Sequence, residues 1–203
     1  MKQSETVFLI DDEPALLKAL GRLLKAEGFT VQAFESALAF LNAPRHPGSG
    51  CIVLDQSMPE MSGMELQQRL MQEDSALAVI FITGNGDIPM SVRAIKAGAV
   101  DFLTKPVKDS ELLAVIRMAL KKSKEMLHSK TEFNEWKQRH AALSKREKEV
   151  LGYVAKGLPN KQIANELGVV EQTIKVHRGR VMSKMGVDSL AQLVIMAERL
   201  RLK

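Results

Sequence analysis

Only one cysteine occurs in these 203 residues, so no internal disulfide can form, and Cys51 lies in a strand-like apolar run where it reads as a small buried hydrophobe. Aromatic residues are few, and no apolar run approaches the roughly 18 residues that a membrane span needs. The N-terminal stretch "MKQSETVFLIDDEP" meets acids at once, which breaks the charged-then-apolar-then-small order of a signal peptide. A cytoplasmic location without a membrane partner is expected. None of His46, His128, His140 and His177 has metal-ligand spacing to another. No internal repeat or low-complexity tract occurs, and no glycine-rich phosphate loop follows the first strand-like run.

Charge is present but unevenly placed. Residues 1–123 carry 13 Lys and Arg against 15 Asp and Glu, net −2, whereas residues 124–203 carry 16 against 9, net +7. An acidic front and a basic back predict two domains with different partners, the basic one suited to a polyanion. A chain of this length has room for one medium and one small domain, each with its own core.

The front half alternates short apolar runs with helical patterns. Five strands are predicted near 5–10, 29–34, 51–55, 78–83 and 100–103. Pro14 opens the first intervening helix and Gly28 closes it; Pro44 stops the second, Ser62 caps the third and Gly98 ends the fourth. The loop "NAPRHPGSG" reads as a connector without evident chemistry. Repeated βα units of this length predict a flavodoxin-like parallel sheet of order 2-1-3-4-5, with strands one and three flanking the switch point.

Polar residues stand where the strands stop. Asp11 and Asp12 end "TVFLIDDEP", Asp55 ends "CIVLDQSMP", Thr83 ends "AVIFITG" and Lys105 follows "VDFLTKP". A parallel sheet brings these ends to one edge. Three carboxylates there repel by roughly 1–4 kcal/mol per close pair, which a bound cation relieves. All-oxygen ligation completed by phosphate suits Mg²⁺. Asp55 is the natural nucleophile, Lys105 can pair with a phosphoryl group, and the Thr83 hydroxyl can donate to one of its oxygens.

A fifth helix begins near Asp109, and neither Pro nor Gly interrupts the chain until Gly152. Leu112, Val115, Ala119, Met126, Phe133, Trp136 and Leu143 follow a 3-4 spacing broken at Lys122 and Ser129. Two readings stand: an amphipathic helix packed on the first domain, or a linker helix that pairs with another chain. Beyond it, Ser144 with Glu147 forms a capping box, and the helix they start ends at Gly157. A short helix, a turn at Gly168, a longer helix and a last helix capped by Asp188 complete the chain.

The arrangement of Ala164, Gly168 and Ile174 has helix-turn-helix mechanics: a small residue at a crossing, a left-handed turn and a return to the core. On a helical wheel Val181 and Met185 share the Ile174 face. Gln172, Val176, Gly179, Arg180 and Ser183 lie opposite, with Thr173 and Lys175 flanking and Arg178 near the buried edge, better placed for a phosphate than a base. His177 reads as a packing or phosphate contact.

The segments "LIDDEP", "VLDQSMPEMSG", "FITGNGD" and "AGAVDFLTKP" resemble the receiver domain of two-component response regulators, and the C-terminal segment resembles the LuxR/NarL-type helix-turn-helix; the whole is similar to the FixJ/StyR group. The resemblance implies a receiver over 1–122, a linker helix over 123–142 and an all-α four-helix DNA-binding domain over 143–203. It makes Asp55 the phosphoacceptor. It gives Mg²⁺ to Asp12, Asp55 and the Ser57 backbone carbonyl, with Asp11 acting through water, and it assigns phosphoryl reading to Thr83 and Lys105. Phe102 would rotate inward with Thr83. A Tyr often found there is Phe here, so no hydroxyl can report. The positions of Ser57 and Asn85 tune phosphoryl lifetime in the family. On the DNA side, positions 175, 176 and 179 face bases, with Gln172, Thr173, Arg178 and Arg180 completing the surface; Gly179 lacks the longer side chain some relatives carry.

The implied partners are a sensor histidine kinase, double-stranded promoter DNA and, after phosphorylation, a second copy through residues near 88–120, with RNA polymerase as a further candidate. The expected function is a phosphorylation-activated transcription regulator and not an enzyme beyond its own phosphoryl transfer. Three rival readings fit the sequence less well. A phosphatase or nucleotide-binding enzyme lacks its glycine-rich loop and a second aspartate two residues after Asp55. A protein-interaction bundle ill fits the net +7 and the Ala164-Gly168-Ile174 frame. A constitutive DNA binder with a vestigial receiver conflicts with the retention of all five strand-end residues.

Overall fold

A computed structural model describes residues 5–84 and 88–202. The chain divides into compact units spanning 1–128 and 129–203. In the first unit β1 (Thr6–Ile10), β2 (Thr30–Phe34), β3 (Gly50–Asp55), β4 (Ala78–Thr83) and β5 (Asp101–Thr104) form one parallel sheet of order β2-β1-β3-β4-β5. The three inner strands are buried along their whole length, which is why they read as unbroken apolar runs.

Strand alternation divides the core in two. Val7, Leu9, Cys51, Val53, Ile80, Ile82 and Leu103 face α1 (Pro14–Ala26) and the first part of α5 (Asp109–Ala141). Phe8, Ile10, Ile52, Leu54, Val79 and Phe81 face α2 (Ala37–Asn42), α3 (Gly63–Gln72) and α4 (Ile88–Lys96). Helices on both faces leave the carboxyl edge of the sheet open, and that edge carries the site. Buried Gln67 joins α3 to α4, its Nε2 donating to the Ala94 and Ala97 carbonyls at 3.2 and 3.0 Å.

The start of α3 requires a glycine. A Cβ on Gly63 would lie 2.5 Å from the Asp55 carbonyl, so only glycine lets the helix begin this close to the end of β3. Ser62 and Glu65 complete a reciprocal capping box there. Helix α5 is continuous for 33 residues. Within the first unit it buries Leu112, Val115, Ile116, Ala119, Leu120 and Ser123. The Ser123 hydroxyl donates to the Ala76 carbonyl at 2.7 Å and accepts from the Gly50 amide at 2.9 Å. The heptad reading passed over this serine.

The second unit holds the end of α5 with α6 (Lys145–Ala155), α7 (Asn160–Glu166), α8 (Glu171–Met185) and α9 (Leu190–Arg199). Val150, Leu151, Val154, Ile163, Ile174, Val181, Met185 and Leu193 form its core. Ser144 and Glu147 make the expected capping box, and Glu147, itself buried, also accepts from Lys184 Nζ at 2.7 Å. The turn between α7 and α8 passes through Gly168 at φ +63°. One expectation is corrected. Ser189, not Asp188, caps α9: its hydroxyl accepts from the Gln192 amide at 3.2 Å, while Gln192 Oε1 accepts from the Asp188 amide at 3.1 Å. The Ser-x-x-Gln spacing sets the register, one residue after the acid.

Candidate phosphoryl site and nucleic-acid interface

Four elements deliver the acidic site. Asp11 follows β1, Asp55 is the last residue of β3, Thr83 the last of β4, and Lys105 follows β5. The Lys105 amide donates to the Thr83 carbonyl at 2.7 Å, which holds the lysine beside the end of β4. Its ammonium then meets three carboxylates: Asp11 Oδ2 at 2.9 Å, Asp55 Oδ1 at 3.0 Å and Glu13 Oε1 at 2.9 Å. Each aspartate is also held by a backbone amide. Asp55 Oδ2 accepts from Ser57 N at 2.7 Å, and Asp11 Oδ1 accepts from Glu13 N at 2.9 Å.

Burial and pairing oppose each other here. Burial pushes the Asp11 carboxyl above its usual range, against the hydrogen bond from Lys105. For Lys105, burial alone favours the neutral amine, but hydrogen bonds to Glu13, Asp11 and Asp55 outweigh it and raise its pKa. The lysine is therefore a permanent cation fixed at the phosphoacceptor candidate.

A cleft of about 260 Å³ opens at this edge, lined by Asp12, Glu13, Asp55, Ser57, Gly84 and Lys105. Asp12 is exposed on its wall. Two further residues of the sequence reading stand off this cleft. Thr83 is fully buried at the end of a strand covered on both faces, and Gly84 carries the β4 end to the wall. Phe102 is half-buried, its ring centroid 6.0 Å from that of Phe81, and it lines a separate hollow with Val92 and Ile95 of α4. Asn85 lies outside the described residues.

The three acids do not stand around a vacant centre, because Lys105 lies between Asp11 and Asp55. Among the described residues no three His, Cys, Asp or Glu side chains are arranged as a ready metal site. Mg²⁺ nonetheless needs only one or two carboxylates, with water and phosphate filling the remaining positions. Asp12, Asp55 and Ser57 on one open cleft supply that all-oxygen set, so the residues present fit the ion.

Glu13 was not singled out from the sequence. It occupies the N-cap position of α1 without capping the helix, and its side chain reaches Lys105 instead. The only signal was the third acid of "DDEP" directly before a helix-starting proline.

On the basic unit, α8 turns Ile174, Val181 and Met185 inward and leaves Gln172, Lys175, Val176, Gly179 and Arg180 exposed, with Thr173 and His177 half-buried. Arg178 is half-buried at the edge of that inward face, and its guanidinium donates to Asn160 Oδ1 at 3.0 Å, linking α8 to the first residue of α7. Helical periodicity placed Arg178 near the buried edge but could not reveal its partner on another helix.

Comparison with known proteins agrees at both ends. Residues 7–117 match the response regulator receiver domain and residues 141–197 match the luxR family of bacterial regulatory proteins. The response regulator protein TodT of Pseudomonas putida is 45% identical over 199 residues, covering 98% of this chain and 88% of TodT. The transcriptional regulatory protein FixJ of Azorhizobium caulinodans is 43% identical over 197 residues, covering 97% and 93%. Among solved structures, the response regulator StyR aligns at a TM-score of 0.80 with 44% identity over 97% of this chain and 99% of its own.

Proposed function

Because the chain belongs to the response regulators that join a receiver to a LuxR-type DNA-binding domain, as FixJ and StyR do, we propose that it accepts a phosphoryl group on Asp55 and thereby controls promoter binding. It is a two-component transcription regulator, of a family that regulates transcription and does not consist of enzymes in the ordinary sense. The observation that carries the finer reading is Lys105 Nζ at 3.0 Å from Asp55 Oδ1 on an open cleft.

In the proposed transfer, an Asp55 carboxylate oxygen attacks the phosphorus of a phosphohistidine on a sensor kinase. The new O–P bond forms as the P–N bond breaks, and the electron pair departs with the imidazole nitrogen. The Ser57 amide holds the second Asp55 oxygen and so fixes the direction of attack. Lys105 donates to the arriving phosphoryl oxygens. Asp12, Asp55 and the Ser57 carbonyl would hold Mg²⁺, with Asp11 acting through water; the ion supplies charge screening between carboxylate and phosphate. Thr83 and Phe102 would change together once the group is in place, Thr83 turning toward it and Phe102 filling the space.

The receiver is assigned to 1–122, the linker helix to 123–142 and the DNA-binding domain to 143–203. Phosphorylation would pair two copies through α4, β5 and α5, where Ile88, Val92, Ile95 and Met118 remain exposed. Two half-sites engaged together gain about 10²–10⁴ in apparent affinity. Exposed Lys175 and Val176 would read bases, while Arg180 meets phosphate. The implied setting is the cytoplasm, with RNA polymerase as a later partner; no helix among the described residues is long and apolar enough to cross a membrane.

Acyl-phosphate labelling in Mg²⁺ tests this reading. The wild-type chain should take label from a small phosphodonor, and Asp55→Asn should take none while retaining its fold. Undiminished labelling of the variant overturns the assignment. Promoter binding unaffected by phosphorylation would point instead to a constitutive DNA binder with a vestigial receiver.

A further inference from the structure

We propose that Glu13 is a positioning residue for phosphoryl transfer: it holds one N–H of Lys105 in the resting protein and yields it to the incoming phosphoryl oxygen. This rests on Asp55 being the phosphoacceptor. A lysine ammonium has three N–H groups and no more. Lys105 Nζ donates two of them, to Asp11 and Glu13 at 2.9 Å each, and the third is left to its ion pair with Asp55 Oδ1 at 3.0 Å. A phosphoryl oxygen can therefore gain a hydrogen bond from Lys105 only if one carboxylate lets go.

Their surroundings decide which one. The Asp11 side chain is 7% exposed and its other oxygen is held by the Glu13 amide. The Asp55 side chain is 5% exposed, its other oxygen is held by the Ser57 amide, and it is where the group arrives. The Glu13 side chain is 62% exposed, so water replaces its lysine bond at little cost. Its N-cap position offers no competing bond to the helix. Glu13 is the partner that exchanges.

The step balances without a further reactant. With acetyl phosphate, an Asp55 oxygen bonds to phosphorus as the P–O bond to acetate breaks, and acetate leaves with the electron pair. With phosphoramidate, the P–N bond breaks and the nitrogen leaves as ammonia. In either case one Lys105 N–H passes from Glu13 to a phosphoryl oxygen, and the Glu13 carboxylate returns to water. Because Glu13 also lines the cleft, its charge opposes the approach of an anionic donor, more so a dianion than a monoanion.

The test uses the full chain with Glu13→Gln, which removes the charge, and Glu13→Ala, which removes the acceptor as well. Labelling rates are measured in Mg²⁺ with dianionic acetyl phosphate and monoanionic phosphoramidate, at low and high salt. At low salt both variants should label about two- to fivefold faster with acetyl phosphate, the range an exposed ion pair supports. The gain should be smaller with phosphoramidate and should shrink near 1 M salt, where screening acts within about 3 Å. A purely structural role would shift the melting temperature and change both donors alike at every salt concentration. Variants no faster than a wild-type chain that labels normally, or faster equally under all conditions, overturn the role of Glu13 and leave the Asp55 reading intact. A wild-type chain that takes no label from either donor overturns both.

Discussion

The two ends of this protein build their recognition surfaces in opposite ways. At the receiver edge, residues from three strand ends and one helix start, 94 positions apart at the extreme, converge on a single nitrogen, Lys105 Nζ. On the basic unit one helix, α8, presents its surface by periodicity alone. A convergent site fails as a unit when one member is lost, because the remaining charges stay buried without partners. A periodic surface fails residue by residue, each contact adding its own increment to affinity.

The sharpest way to break this contrast lies in the receiver. Asp12→Ala should lower Mg²⁺ affinity and phosphoryl labelling together, by ten- to a hundredfold or more. Titration of Mg²⁺ by isothermal calorimetry beside a labelling time course reads both quantities. Normal labelling with weakened metal binding would separate functions that the convergent geometry joins.

A smaller effect is expected on α8. Lys175→Ala should cost roughly 1–3 kcal/mol on a selected operator and relax preference at one position of each half-site. Arg180→Ala should weaken operator and scrambled duplex about equally and reduce the salt slope by about one unit per half-site. Fluorescence anisotropy on both duplexes across a salt series distinguishes them. If Lys175→Ala lowers both affinities equally, that lysine meets phosphate and the reading of bases passes to Val176, Gln172 or DNA shape.

The smallest effect concerns pH. The Lys184 ammonium, with the Ser144 amide, holds the Glu147 carboxyl down at about 2 from its ordinary 4.5. A carboxyl lowered by folding stabilises the folded state above its unfolded value and loses that contribution as pH falls through the folded one. The pH dependence of melting for the basic unit's transition should therefore be steep between about 4.5 and 2, and Glu147→Gln should flatten it. Asp11 works in the opposite direction: burial raises its carboxyl, so protonation relieves a cost of folding at the receiver edge. A profile unchanged by Glu147→Gln would show that the Lys184 bond adds nothing to stability.

Legibility followed the same division. Asp11, Asp55, Thr83 and Lys105 could be placed at one edge because a parallel sheet puts every strand's carboxyl end on the same side. The inward face of α8 followed from helical spacing. What escaped was the direction of individual side chains between elements. The Glu13 carboxylate meets Lys105, and the Arg178 guanidinium meets Asn160, across elements that no local spacing pairs. Asp188 and Ser189 are both good caps, and the choice between them lay in Gln192. Ser123 fell outside the heptad seam because its partners are backbone atoms 73 and 47 residues away in sequence.

That serine gives β3 a mechanical character. The strand is clamped at one end where the Gly50 amide meets Ser123, and at the other where Asp55 meets Lys105. From clamp to clamp the strand counts six buried residues, about 17 Å of extended chain with almost no slack. The strand thus acts as a tie-rod whose far anchor is the same helix that carries the chain on toward its basic end. A Ser123→Ala change cuts that anchor and strips the buried Gly50 amide and the half-buried Ala76 carbonyl of this partner, without touching a single atom of the acidic cleft.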